Sequence, residues 1–149
     1  MITITAFAWV PPFARGQVRD LRVRWALEEA GLAYKVRLLE PGEGDKPEYR
    51  ALQPFGQVPI FVEDDVVLFE TGAIVLHIGE RSEVLLPKEA KARARARGDL
   101  MMSTVLRILR HTDIVTSDQR LAAYVERCTT RPAFRRALDA QLGDFREAA

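Results

Sequence analysis

The sequence predicts an α/β domain at residues 1–83 followed by an all-helical domain at residues 87–149. Three observations carry that division. Strand-type and helix-type apolar patterns alternate through the first 80 residues, no convincing strand pattern follows them, and the charge balance reverses at the same place. Residues 1–80 hold 8 Lys/Arg against 12 Asp/Glu, and residues 81–149 hold 14 against 9. Leu85-Leu86-Pro87 reads as the linker.

Ile2-Thr3-Ile4-Thr5-Ala6-Phe7-Ala8 alternates β-branched and small residues, which predicts a strand ended by Pro11-Pro12. Val23, Ala26, Leu27 and Ala30 stand at i, i+3, i+4 and i+7, so a helix follows, with Arg19, Arg22, Arg24, Glu28 and Glu29 mostly turned away and Gly31 placed to end it. Tyr34 to residue 39 alternates as a second strand, and residues 46–52 are long enough for only a short helix. Val58-Pro59-Ile60-Phe61-Val62 and Val66-Val67-Leu68-Phe69 flank three acidic residues as a hairpin. Ile74, Val75 and Ile78 then recur at helical spacing. A parallel strand pair from the first crossover and an antiparallel hairpin after it are required by this order.

In the second half, residues 88–97 read as a polar, alanine-rich helix and residues 100–109 as a separate one, apolar almost all round and so expected to be buried. Residues 121–128 are amphipathic. A last helix opens at Thr130-Arg131-Pro132 and aligns Phe134, Ala137, Leu138, Gln141, Leu142 and Phe145.

Composition excludes several classes of function. With 48% hydrophobic and 29% charged residues the chain is of ordinary globular type, and no stretch approaches the roughly 18 apolar residues of a membrane span. The N-terminus lacks a basic region ahead of an apolar one, so a cytoplasmic protein without membrane partners is expected. Cys128 is the single cysteine and reads as an inert packing residue, while His77 and His111 each stand alone, so no metal is expected. Arg93, Arg95 and Arg97 alternate with alanine and fan around a helix without aromatic residues to stack bases, which disfavours nucleic acid as a partner. No glycine-rich phosphate loop, nucleophile elbow or Cys-x-x-Cys pair occurs.

What remains is residues 53–71. Pro59 removes a ladder donor just before apolar strand residues, so it marks a strand start and a turn of the cis type, leaving the backbone of Val58 free to pair with an extended peptide. Glu70-Thr71-Gly72 begins a helix whose amide groups suit a carboxylate, while Glu70 suits an ammonium group. Together they can hold the zwitterionic end of an amino acid. The alternative is that Thr71 caps the helix and Glu70 favours its N-terminus.

Ala51-Leu52-Gln53-Pro54-Phe55-Gly56-Gln57-Val58-Pro59 followed by Leu68-Phe69-Glu70-Thr71-Gly72-Ala73-Ile74 resembles the glutathione-binding signature of the glutathione S-transferase family. Arg24-Trp25-Ala26-Leu27-Glu28-Glu29-Ala30-Gly31 resembles that family's first helix, and Leu121-Ala122-Ala123-Tyr124 with Arg131-Pro132-Ala133-Phe134 its C-terminal end. The resemblance implies a thioredoxin-like N-terminal domain, a helical C-terminal domain, a homodimer, glutathione as co-substrate and an electrophilic small molecule as the second substrate. It implies that Val58 pairs with the cysteinyl backbone of glutathione, that Pro59 is cis, that Glu70 and Thr71 grip the γ-glutamyl end, and that Gln57 and Lys46 reach the remaining polar groups.

Two departures from the family pattern stand out. Residues 9–17 contain no Ser, Tyr or Cys to hydrogen-bond the glutathione sulfur. A thiol of pKa about 8.5 is mostly protonated at neutral pH, so the thiolate needs another stabilising group. Arg15, or amides of a helix starting near Gly16 and Gln17, could supply it; Arg15 is otherwise a solvent-exposed loop residue. The helical domain is also short for the family, as though truncated internally near Arg97, and Ala96 stands where a Ser or Thr would cap the family's central helix. A catalytic transferase and a non-catalytic glutathione-binding or protein-interaction module both remain open at this point.

Overall fold

The computed structural model describes residues 1–145, the side chains of Arg97 and Arg110 excepted. Strands β1 (Ile2–Phe7), β2 (Tyr34–Leu39), β3 (Ile60–Glu63) and β4 (Val66–Phe69) form one sheet in the order β2-β1-β3-β4. β1 runs parallel to β2 and antiparallel to β3, which pairs antiparallel with β4. Helix α1 (Asp20–Ala30) makes the parallel crossover, α2 (Pro47–Arg50) precedes the hairpin and α3 (Thr71–Gly79) follows it. This is the thioredoxin-like arrangement that the resemblance implied.

The two sheet faces bury different sets of side chains. Ile2, Ile4 and Phe61 face α1 and α3, against Leu21, Trp25, Ile74 and Ile78. Leu39, Val58 and Ile60 cluster with Tyr49 of α2 on the other face. Such two-sided cover suits apolar runs in the strands. Gly31 ends α1 in the left-handed conformation at φ 67°, its N–H donating to the carbonyls of Leu27 and Glu28. His77 packs edge-on against Phe61, ring centres 5.3 Å apart.

The second half is helical: α4 (Ala90–Ile108), α5 (Asp113–Thr116), α6 (Gln119–Thr129) and α7 (Pro132–Asp144). Here the structure corrects the sequence reading in four places. The helices expected at residues 88–97 and 100–109 are one helix, α4, capped by Glu89, whose carboxylate accepts from the amides of Lys91 (2.9 Å) and Ala92 (2.6 Å). Ala96 therefore lies inside a helix, where each amide already has its i−4 carbonyl and no cap is needed.

The second correction concerns burial of the apolar stretch. Leu100 and Leu106 are buried, but Met102, Val105 and Ile108 are 51%, 43% and 49% exposed. Third, Arg24, expected on the polar side of α1, does not face solvent. Arg24 and Asp20 are both 1% exposed, because α7 covers them. Fourth, the linker is anchored: Leu85 is a core residue, and Leu86 packs so close to Gly79 that a Cβ there would lie 2.9 Å from Leu86 Cγ.

Candidate functional site

The register of the hairpin assembles the site. Ile60 pairs with Phe69, so the next positions outward are Pro59 and Glu70, and the signature blocks at 53–59 and 68–74 meet at one end of the sheet. The β1–β3 ladder, with Ile4 opposite Phe61, brings the C-terminal end of β1 and the loop after it to the same end. The Val58–Pro59 peptide is cis, and both residues are buried.

Glu70 is exposed and holds φ 69°, ψ 115°, a backbone conformation that non-glycine residues rarely adopt and that costs on the order of 1–3 kcal/mol. It occupies the N-cap position of α3 without a side-chain capping bond, while its carbonyl accepts from the Ile74 amide at 3.0 Å. Thr71 is the first helical residue and is buried, so it is not the cap. Of the alternative reading, the Thr71 cap is not formed, while the placement of Glu70 at the helix N-terminus is observed. Glu70 thus stands at the positive end of α3, and its side chain makes no capping bond to that helix.

Hydrogen bonds and a close backbone contact lock the loop before Pro59. The Gln57 side-chain oxygen accepts from Arg19 Nη1 at 2.6 Å, which leaves its amide NH₂ as donor, and the Gln57 carbonyl accepts from the Tyr49 hydroxyl at 2.6 Å. The Tyr49 hydroxyl also lies 3.0 Å from Thr5 Oγ1, which accepts from the Ile60 amide at 2.8 Å. Burial pushes the Tyr49 phenol upward, so it stays protonated as a donor. Backbone meets backbone at Gly44 and Gly56, where a Cβ on Gly44 would lie 2.5 Å from the Gly56 carbonyl oxygen. Only glycine permits that approach, and it brings the loop carrying Lys46 against the loop carrying Gln57. Lys46 itself is exposed, at the rim of a cavity of about 250 Å³ between α2 and the sheet, shared with Thr5, Arg37 and Tyr49.

Arg15 follows the 3-10 turn Pro12–Ala14 and is half-buried, its guanidinium carbon 6.0 Å from the centre of the Phe145 ring. It is not the solvent-exposed loop residue of the alternative reading. The helix amides expected near Gly16 and Gln17 lie elsewhere, since α1 begins at Asp20 and the Gln17 amide already donates to the Ala14 carbonyl at 3.0 Å. Arg107 of α4 donates to the Gly16 carbonyl at 2.9 Å, tying this loop to the helical half.

The structure places Gln57, Val58, Pro59, Glu70 and Thr71, all singled out in the sequence, at one end of the sheet, and adds Thr5, Tyr49 and Arg19, which hold the loop and carry no such mark in the sequence. Thr5 is a hydroxyl among apolar neighbours, whereas Tyr49 and Arg19 sit in polar segments that give no such signal. Cys128 is buried, and burial pushes its thiol upward, so it stays an unreactive core residue. Among the described residues no group of three or more His, Cys, Asp or Glu is placed to hold a metal ion, and no helix is long and apolar enough to cross a membrane.

Comparison with known proteins follows this geometry. Residues 13–80 match the sequence model of the glutathione S-transferase N-terminal domain. The chain is 36% identical over 78 residues to Glutathione S-transferase 4 of Zea mays, a match covering 50% of this chain and 32% of that protein, so it spans about a third of the relative's length. The backbone superposes on glutathione transferase F7 from Populus trichocarpa with a TM-score of 0.77 at 16% identity, covering 95% of this chain and 99% of that one. A theta class glutathione S-transferase from Xanthomonas axonopodis pv. citri, solved with glutathione bound, gives a TM-score of 0.64 at 20% identity over 95% of this chain and 98% of that one. Residues 13–80, assembled around the loop and helix start just described, match the N-terminal domain of the glutathione S-transferase family.

Proposed function

We propose that the chain binds glutathione at the sheet end formed by residues 57–59 and 70–71, and that it adds the glutathione thiolate to an electrophilic small molecule. The observation that carries the reading is Glu70, an exposed residue held at positive φ at the start of α3 and opposite Pro59, one step beyond the Ile60–Phe69 pair. Strain of that kind persists where surrounding structure imposes it, and here it sets an anion next to a helix N-terminus, the pair of charges that an α-amino-acid end requires. In this reading Glu70 takes the ammonium group and Thr71 with the first turn of α3 takes the carboxylate of the γ-glutamyl end. The backbone of Val58 before cis-Pro59 pairs with the cysteinyl unit, and Gln57 and Lys46 reach the rest.

The reaction needs the sulfur as thiolate. The thiol proton leaves to solvent, the sulfur electron pair forms the new bond to carbon, and the leaving group or π-bond of the electrophile takes the displaced electrons. With no hydroxyl or thiol in residues 9–17, Arg15 is the group assigned to stabilise the thiolate. That same absence favours a second reading, a glutathione-binding module without catalysis. The ultraviolet absorbance of bound thiolate against pH separates them: a depressed titration that Arg15→Ala abolishes supports the enzyme, and an unshifted one supports the module.

The reading extends to a cytoplasmic homodimer with domains at 1–83 and 87–149, the helical one shortened near Arg97. It is supported by the exposed apolar side chains of Met102, Val105 and Ile108, which a second copy would cover. Calorimetry tests the central claim. Glutathione at millimolar concentration should release heat and raise the melting temperature, and Glu70→Ala should lose both; no heat from the parent protein, or an unchanged Glu70→Ala, overturns the site.

A further inference from the structure

We infer that Tyr49 and Thr5 are positioning residues for glutathione, acting through one peptide plane; this rests on the glutathione reading above. The β1–β3 ladder pairs Thr3 with Val62 and Ile4 with Phe61, and Pro59 has no N–H to carry it further. Where the ladder stops, a side-chain relay takes over. The Ile60 amide donates to Thr5 Oγ1 (2.8 Å), and the Tyr49 hydroxyl donates its single proton to the Gln57 carbonyl (2.6 Å). Thr5 must therefore be the donor across the 3.0 Å contact to Tyr49 Oη. Four groups thus bond in one direction, Ile60 to Thr5 to Tyr49 to Gln57, the first three of them buried, where successive bonds strengthen one another.

The consequence lies at Val58. In a planar trans peptide the carbonyl and the following N–H point in opposite directions, and the Gln57–Val58 bond is trans. Holding the Gln57 oxygen toward Tyr49 turns the Val58 N–H away from α2, toward the side on which an extended peptide would lie. Without the relay that plane is free to rotate, and the ligand must organise it on binding. Neither hydroxyl touches glutathione in this arrangement. Both set the direction of the group that does.

The experiment compares the full chain with Tyr49→Phe, Thr5→Val and Thr5→Ser. Tyr49→Phe keeps the ring that packs with Leu39, Val58 and Ile60 and removes only the donor. Glutathione affinity by calorimetry should fall about tenfold in Tyr49→Phe and in Thr5→Val, the effect of losing one hydrogen bond, and Thr5→Ser should restore it. In steady state with a small aryl halide, KM for glutathione should rise while KM for the halide and kcat at saturating glutathione hold. Equal affinity in all four proteins overturns the inference while leaving the glutathione reading intact. So does a loss that moves both KM values and kcat together with the melting temperature. Absence of binding by the parent protein overturns the reading and the inference with it.

Discussion

Helices α7 and α4 both dock on α1, and they do so by opposite means. At α7 the contact is saturated with charge and hydrogen bonds. Arg24 bridges Asp20 (2.8 Å) and Asp144 (2.6 Å), Gln141 donates to Asp20 at 2.8 Å, Arg136 meets Glu28 at 2.6 Å, and Arg131 meets Glu29 at 2.7 Å. Trp25 and Phe134 pack edge-to-face between them, ring centres 5.0 Å apart. At α4 a guanidinium-to-hydroxyl bond, Arg22 to Thr104 at 2.6 Å, accompanies Leu100 and Leu106, while Met102, Val105 and Ile108 remain exposed. The first seam specifies one geometry, because each buried charge is costly unless its partner is in place. The second is held mainly by apolar contact, which is strong but undirected.

The largest expected effect breaks the α7 seam. Arg24→Met leaves the Asp20 carboxylate buried without its cation and should cost about 3–5 kcal/mol in urea unfolding. Burial already pushes the Asp20 carboxyl upward against the pull of Arg24. In the variant a carboxyl raised further disfavours the folded state above its pKa, so the defect should shrink as pH falls. Adding Asp20→Asn should recover much of the loss at neutral pH; a deficit of under 1 kcal/mol would show that the seam is not the specific one.

The α4 side is tested by Met102→Glu with Val105→Glu. Charges on an exposed face cost the monomer little, about 0.5 kcal/mol or less, but like charges facing each other across a self-complementary contact should dissociate the proposed dimer. Light scattering reads the change, and a parent protein that is already monomeric removes the proposal.

A smaller effect is expected at Glu70. Glycine adopts φ 69° without steric penalty, so Glu70→Gly should stabilise the fold by about 1 kcal/mol while abolishing glutathione binding. A destabilised variant would mean that the conformation is not strained.

The smallest is a pH effect at the edge of the α7 seam. Burial pushes the Glu29 carboxyl up, but Arg131 and the Trp25 indole, donating at 2.9 Å, together hold it below its ordinary 4.5. A carboxyl depressed on folding contributes stability that is complete above its unfolded value, about 4.5, and is lost as pH falls through the lower folded one. Denaturation from pH 6 to 3 should therefore show a shallower acid loss in Glu29→Gln than in the parent.

These contrasts separate what could be read along the chain from what could not. The strands, the hairpin, α1 and α3 follow from periodicity, since each buries its own apolar stripe against a neighbour close in sequence. That the candidate residues Pro59 and Glu70 face each other was legible for the same reason, since they flank one hairpin and a hairpin's register is set locally. The sequence by itself thus determined the α/β unit, the helical character of the rest and the place where the two signature blocks meet.

Only the tertiary structure decided which polar residues are interior. Arg24 and Asp20 look like surface residues until α7, more than a hundred positions later, closes over them with Gln141 and Asp144. Tyr49 and Thr5 likewise gain meaning only when α2 is laid across the sheet. Periodicity shows that a side has no apolar residues; it cannot show whether water or a complementary set of charges lies beyond it. That choice rests on long-range pairing between groups whose spacing in sequence carries no pattern.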